Sequence, residues 1–199
     1  MQISKKGAVA ALKNAYKKGY EIVPMGGRIA VYTENWALEM ETRHVPLEVS
    51  QTLVEHYEGI PVTAAMVQKG QDPQCMVAGE VDDRDEDLKI AQENAMFMHR
   101  VPVTFRDKWA MFVTTEGEWM CVDQEFLDIL EEPGWCEIMV SDTGMAIFSA
   151  DGDRLTIAPG KFGRDDTQKL KKIAEMYREP RVQEIEIPEN LSLFDMERE

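Results

Sequence analysis

The sequence predicts an α+β fold, mainly antiparallel sheet, built as two similar β-β-α-β-β halves with flanking N- and C-terminal helices. Three observations carry that reading. Short apolar runs rich in β-branched and aromatic residues recur between Gly, Asn and Asp turn signals. Helical apolar spacing is confined to a few short segments. The order of strand and helix signals in residues 1–79 is repeated in residues 101–180, on either side of an acidic connection, 80–100, and ahead of an acidic tail, 181–199. The composition agrees: 44% hydrophobic and 30% charged over 199 residues is a globular balance, which excludes a disordered, collagen-like or disulfide-scaffold chain.

Ser4 is placed to cap a first helix, with Val9, Leu12 and Tyr16 as its apolar stripe and Lys17, Lys18 and Gly19 suited to its end. Tyr20 to Met25, Arg28 to Thr33 and Trp36 to Glu41 read as strands, turning at Gly26-Gly27 and Glu34-Asn35. Pro46 opens a second helix whose expected apolar face is Leu47, Val49, Leu53, Val54 and Tyr57, and Gly59-Ile60-Pro61 ends it. Val62 to Gln68 and Gln74 to Ala78 read as strands. After the acidic run Glu80 to Asp87, a helix with Leu88, Ala91 and Ala95 on one face is expected to reach Met96 to Met98.

In the second half, Val101 to Phe105, Trp109 to Thr114 and Glu118 to Val122 read as strands. Asp123 caps a helix carrying Phe126, Leu127 and Leu130. Glu137 to Ser141 follows, then Met145 to Ser149 and Arg154 to Ala158 across Asp151-Gly152. A last helix is expected from Thr167 to Arg178, with Asp166 as N-cap. Arg28-Ile29-Ala30-Val31-Tyr32 resembles Lys108-Trp109-Ala110-Met111-Phe112, which suggests internal duplication. Two ordinary α+β segments of like composition would also look alike.

Charge narrows the function. Lys and Arg number 22 against 37 Asp and Glu, a net charge of −15. Direct DNA binding is disfavoured, because it depends on neutralising phosphates. The Lys-rich stretches at 5–18 and 161–172 read as solvated helix faces, a small anion-binding face being the alternative. Cys75, Cys121 and Cys136 lack metal-ligand spacing and read as reduced thiols. No run approaches a membrane span or a signal peptide, so a cytoplasmic protein is expected.

No catalytic residues, metal site or cofactor are assigned. His44, His56 and His99 lie near no nucleophile turn and read as surface residues. Glu80 to Asp87 lacks the pattern of a calcium loop, and Gly160-Lys161-Phe162-Gly163 lacks the phosphate-loop spacing. Asp87-Leu88-Lys89 sits at an expected helix start, not on a core strand. Trp36, Trp109 and Trp119 read as core, as do most of the strand methionines.

The sharpest feature is in the tail. Asn190-Leu191-Ser192-Leu193-Phe194 resembles the bacterial sliding-clamp-binding peptide, whose consensus is Gln-Leu-Ser/Asp-Leu-Phe. The likeness covers five residues and departs at Asn190, whose amide is one methylene shorter than Gln. It implies that Leu191, Leu193 and Phe194 fill a pocket on the clamp, that Asn190 and Ser192 add polar contacts, and that the setting is bacterial or phage DNA metabolism. Docking of the same residues on the protein's own sheet is the alternative. Three functions stand: a non-enzymatic interaction protein, an acidic DNA mimic inhibiting a nucleic-acid enzyme, and an enzyme using carboxylates in a cleft between the halves.

Overall fold

The computed structural model describes residues 2–76, 96–114, 117–132, 136–141 and 144–177. The first half comprises α1 (Lys5–Lys18), β1 (Tyr20–Met25), β2 (Arg28–Tyr32), β3 (Trp36–Glu41), a 3₁₀ turn (Thr42–His44), α2 (Leu47–Tyr57), β4 (Ala65–Val67) and β5 (Gln74–Cys75). The second comprises β6 (Met96–Phe105), β7 (Trp109–Thr114), β8 (Trp119–Asp123), α3 (Gln124–Leu127), β9 (Glu137–Val140), β10 (Ala146–Ala150), β11 (Asp153–Ile157) and α4 (Arg164–Tyr177). The fold is α+β, and the described strands form one antiparallel sheet.

The sheet runs β5-β4-β1-β2-β3-β11-β10-β9-β6-β7-β8. The first half, taken from β3 outward, is third-second-first-fourth-fifth. The second half, taken from β8, has the same order, with β11 added as a sixth strand. In each half three strands precede the helix, one more than the expected unit. A backbone bond also recurs: Thr42 N–H donates to the Gly27 carbonyl at 2.9 Å, and Gln124 N–H to that of Lys108 at 2.8 Å. Each ties the residue after the third strand to the turn between the first two.

The ladders correct the alignment suggested by the two pentapeptides. Met25 pairs with Arg28 and Phe105 with Trp109 at the two hairpin ends, so Arg28 matches Trp109 rather than Lys108. Ala30 then corresponds to Met111. Ala110 joins the main core, whereas Ala30 points to the other face from Val31. A one-residue offset exchanges the faces of a strand, so the repeat lies in the strand order and not in that local likeness.

One core serves both halves. Tyr20, Ile22, Leu38 and Met40 pack with Phe112, Val122, Phe148 and Leu155 beneath Leu12 of α1, Leu53 of α2 and Leu127 of α3. Ser4 caps α1 by accepting from Gly7 N–H at 3.2 Å. Ser4 N–H itself donates to the Ile129 carbonyl at 2.8 Å, joining the halves. Gly7 permits this approach, since a Cβ there would lie 1.8 Å from the Asp128 carbonyl oxygen. A smaller core lies on the other face, where Leu170 and Ala174 of α4 cover Val101, Met111, Val113 and Cys121.

Three local expectations are corrected. α4 begins at Arg164, so Asp166 lies in its first turn, where the dipole favours an acid, and accepts from Arg106 Nη2 at 2.7 Å. Met96 to Met98 open β6, within the stretch expected as connection. On α2 the buried residues are Val49, Thr52, Leu53 and His56, while Leu47 and Val54 are exposed. At about 100° per residue positions 49, 52, 53 and 56 share one side and 47 and 54 the opposite one. Apolar residues on both sides gave no sequence signal for which side faces inward.

Candidate functional site at the seam of the halves

The halves join where β3 pairs with β11, Leu38 opposite Leu155 and Trp36 opposite Ile157. Next to this seam sits the β10–β11 turn, Asp151-Gly152, with φ of 53° and 83°. Two positive φ values are what a tight type I′ hairpin needs, and Asp-Gly adopts them readily. First-half residues grip this turn. Arg28 Nη2 donates to the Gly152 carbonyl at 2.6 Å. A side chain at 152 would bring Cβ to 3.0 Å from Glu41 Oε1.

The adjacent Asp153 is the centre of the arrangement. It is 1% exposed, and a buried carboxylate must be compensated by donors. Its Oδ1 accepts from the Glu41 backbone N–H at 2.8 Å. Its Oδ2 lies 3.0 Å from His44 Nδ1. When His44 Nδ1 carries the proton toward Asp153, Nε2 of the neutral ring is the acceptor. His44 is partly exposed and lines a cleft of about 640 Å³ with Lys5, Arg43, Glu131, Glu132 and Cys136. On the other side of the turn, Arg28, Glu137, Ser149 and Arg154 line a second open cleft of about 530 Å³.

An imidazole held by a buried carboxylate can accept and return protons. Cys136 lines the same cleft, but burial raises its thiol, which disfavours the nucleophilic thiolate at neutral pH. Burial pushes Cys121 up to about 12. Among the described residues, no group of three His, Cys, Asp or Glu side chains could hold a metal ion.

Of the three histidines expected at the surface, His44 and His99 are half-buried and His56 is buried. His56 is 7% exposed, and its Nδ1 lies 2.7 Å from the Tyr20 hydroxyl. Burial raises the Tyr20 phenol and lowers the His56 imidazole, so both partners of this hydrogen bond are favoured in their neutral forms, and the ring tautomer sets which one donates. Tyr16 stacks on that ring at 3.8 Å between centroids and 6° between planes. His56 is thus a packed element of the α1–α2 contact. His99 Nε2 lies 3.1 Å from the Tyr177 carbonyl oxygen and anchors the end of α4.

The sequence-expected site residues Asn190, Leu191, Ser192, Leu193 and Phe194 lie outside the described residues, as do the acidic run 80–87 and Asp87-Leu88-Lys89. Sequence reading missed His44 and Asp153 as a pair. They are 109 positions apart, and only the β3–β11 pairing brings them together. Among the described residues, no helix is long and apolar enough to cross a membrane. No protein-family model, curated protein or solved structure matches this chain.

Proposed function

We propose that the protein works by binding other proteins, and that its tail docks on the DNA sliding clamp of a bacterium or phage. The observation that supports this most is the order Leu191-Ser192-Leu193-Phe194, in a stretch that starts after α4. The chain from Tyr177 to Asn190 can reach at most about 45 Å, enough to present the motif clear of the sheet. Leu193 and Phe194 supply adjacent apolar anchors of the kind that fill a partner pocket. A peptide that must be ordered on binding should reach a Kd of about 1–100 μM. The test is fluorescence polarisation of a labelled 186–199 peptide against a purified bacterial clamp. Saturable binding abolished by Leu193→Ala/Phe194→Ala is expected. Equal signals from the two peptides, or none up to high micromolar clamp, would remove the reading.

One observation favours a second reading. The seam cleft lined by His44, Glu131, Glu132 and Asp151 is a polar pocket between the halves, which an enzyme acting through carboxylates there would need, and the buried Asp153 reaches it through His44. In that reading His44 Nε2 accepts a proton and Asp153 holds the ring. Hydrolysis of p-nitrophenyl acetate should then fall at least tenfold in His44→Gln, and equal rates in the two proteins would sink the enzyme.

A further inference from the structure

We propose that the outer side of α2 is a docking site for a basic amphipathic segment of a partner protein. This surface is separate from the tail and from the seam. The inner side of α2 is already filled by Val49, Thr52, Leu53 and His56. Leu47 and Val54, seven positions apart and so on one line of the helix, are 69% and 40% exposed on the opposite side. Past the helix, Ile60 and Val62 are 76% and 75% exposed. Gly59 N–H donates to the Val54 carbonyl at 3.0 Å, which turns the chain at the end of α2 just before Ile60. Four of the eight large apolar residues exposed among the described ones therefore fall between positions 47 and 62. Leu47 and Val54 form an apolar row with a polar rim, and exposed apolar residues concentrated in one short stretch mark an interaction surface.

The rim selects the occupant. Glu48, Glu55 and Glu58 are exposed around the row, and Lys5 lies 3.5 Å from Glu48 alone. A second copy would set these acids against themselves, in a chain whose net charge is already −15. A helix with apolar anchors at i, i+3 or i+4, and i+7, flanked by Lys or Arg, gains contact with the row and with the rim together. Charge then steers the encounter, and the apolar anchors hold it.

The experiment uses the full chain and two labelled 18-residue peptides of identical Leu spacing, one with Lys and one with Glu on the polar side. Fluorescence anisotropy should show salt-sensitive binding of the Lys/Leu peptide and none of the Glu/Leu peptide. Ile60→Ser/Val62→Ser should weaken binding at least tenfold at unchanged Tm. Leu47→Ser/Val54→Ser should do the same, and a chain ending at residue 188 should bind as the full chain does. The proposal is overturned if the Ile60/Val62 variant binds equally, which would show mere attraction to an acidic chain, or if neither peptide binds. Dimerisation by sedimentation, lost in the same variant, would give the face to a second copy and equally overturn it.

Discussion

The two halves share a strand order but not a back face. In the second half the outward residues of the first three strands are His99, Val101, Met111, Val113, Trp119 and Cys121, and α4 packs on them. The ladders place Glu21, Val23, Ala30, Tyr32, Ala37 and Glu39 at the matching positions of the first half. Two carboxylates there are each 7% exposed. Glu39 sits 3.7 Å from Arg28 and accepts from the Tyr32 hydroxyl at 3.4 Å. The difference shows which constraints are common. Hairpin turns and the shared core face hold the strand order in both halves. The back face answers only to what covers it, so one half is apolar there and the other carries two carboxylates among small and apolar residues.

Exchanging matched residues is the strongest way to break this contrast. Cys121→Glu puts a carboxylate under α4, where Cys121 is 1% exposed, with Leu170 and Ala174 around it. A loss of more than about 4 kcal/mol in urea unfolding is expected, because a buried charge without a partner is among the costliest changes. Asp153→Ala attacks the joint between the halves instead. It removes the acceptor for Glu41 N–H and the partner of His44, and about 2 kcal/mol should be lost. Stability equal to wild type would mean that the seam does not depend on that carboxylate.

A smaller effect separates the halves by pH. Burial holds the His56 imidazole below its ordinary 6.5, so the unfolded chain takes up a proton first as pH falls. Stability should be full above about pH 6.5 and decline from there toward the folded-state pKa. His56→Gln should remove that part of the pH profile, and an unchanged slope would show that another group causes it. The smallest effect belongs to the polar back face. Glu39→Gln leaves a hydrogen-bonding side chain, and Arg28 is 37% exposed, so solvent already screens the pair. Less than about 1 kcal/mol should be lost.

Much of this architecture was legible in local sequence. Gly26-Gly27 and Asp151-Gly152 announce their hairpins, and Ser4 and Asp123 announce helix starts. Tyr20 with Ile22 and Leu38 with Met40 alternate along their strands toward the shared core, as the period of a strand requires. What was not legible depends on contacts distant in the chain or on rotation about an axis. The β3–β11 seam joins residues more than a hundred positions apart, and His44 meets Asp153 only through it. Leu47 and Val54 carry the same apolar character as Val49 and Leu53, so composition alone could not tell outward from inward. The tail motif is the reverse case: clear as a string of residues, and outside the described structure.

The strand β11, which has no counterpart among the described residues of the first half, also bears on solubility. An open strand edge is a template on which other chains can add and aggregate. β3 and β8 hold matching places, and each would be such an edge in a half standing alone. β11 closes β3 along four residue pairs. At β8 the connection to α4 takes up one carbonyl, Gly160 N–H donating to Cys121 at 2.7 Å. At the other end of the sheet the outermost of the described strands is β5, two residues long. The eleventh strand thus acts as a guard against self-assembly as well as a bond between the halves.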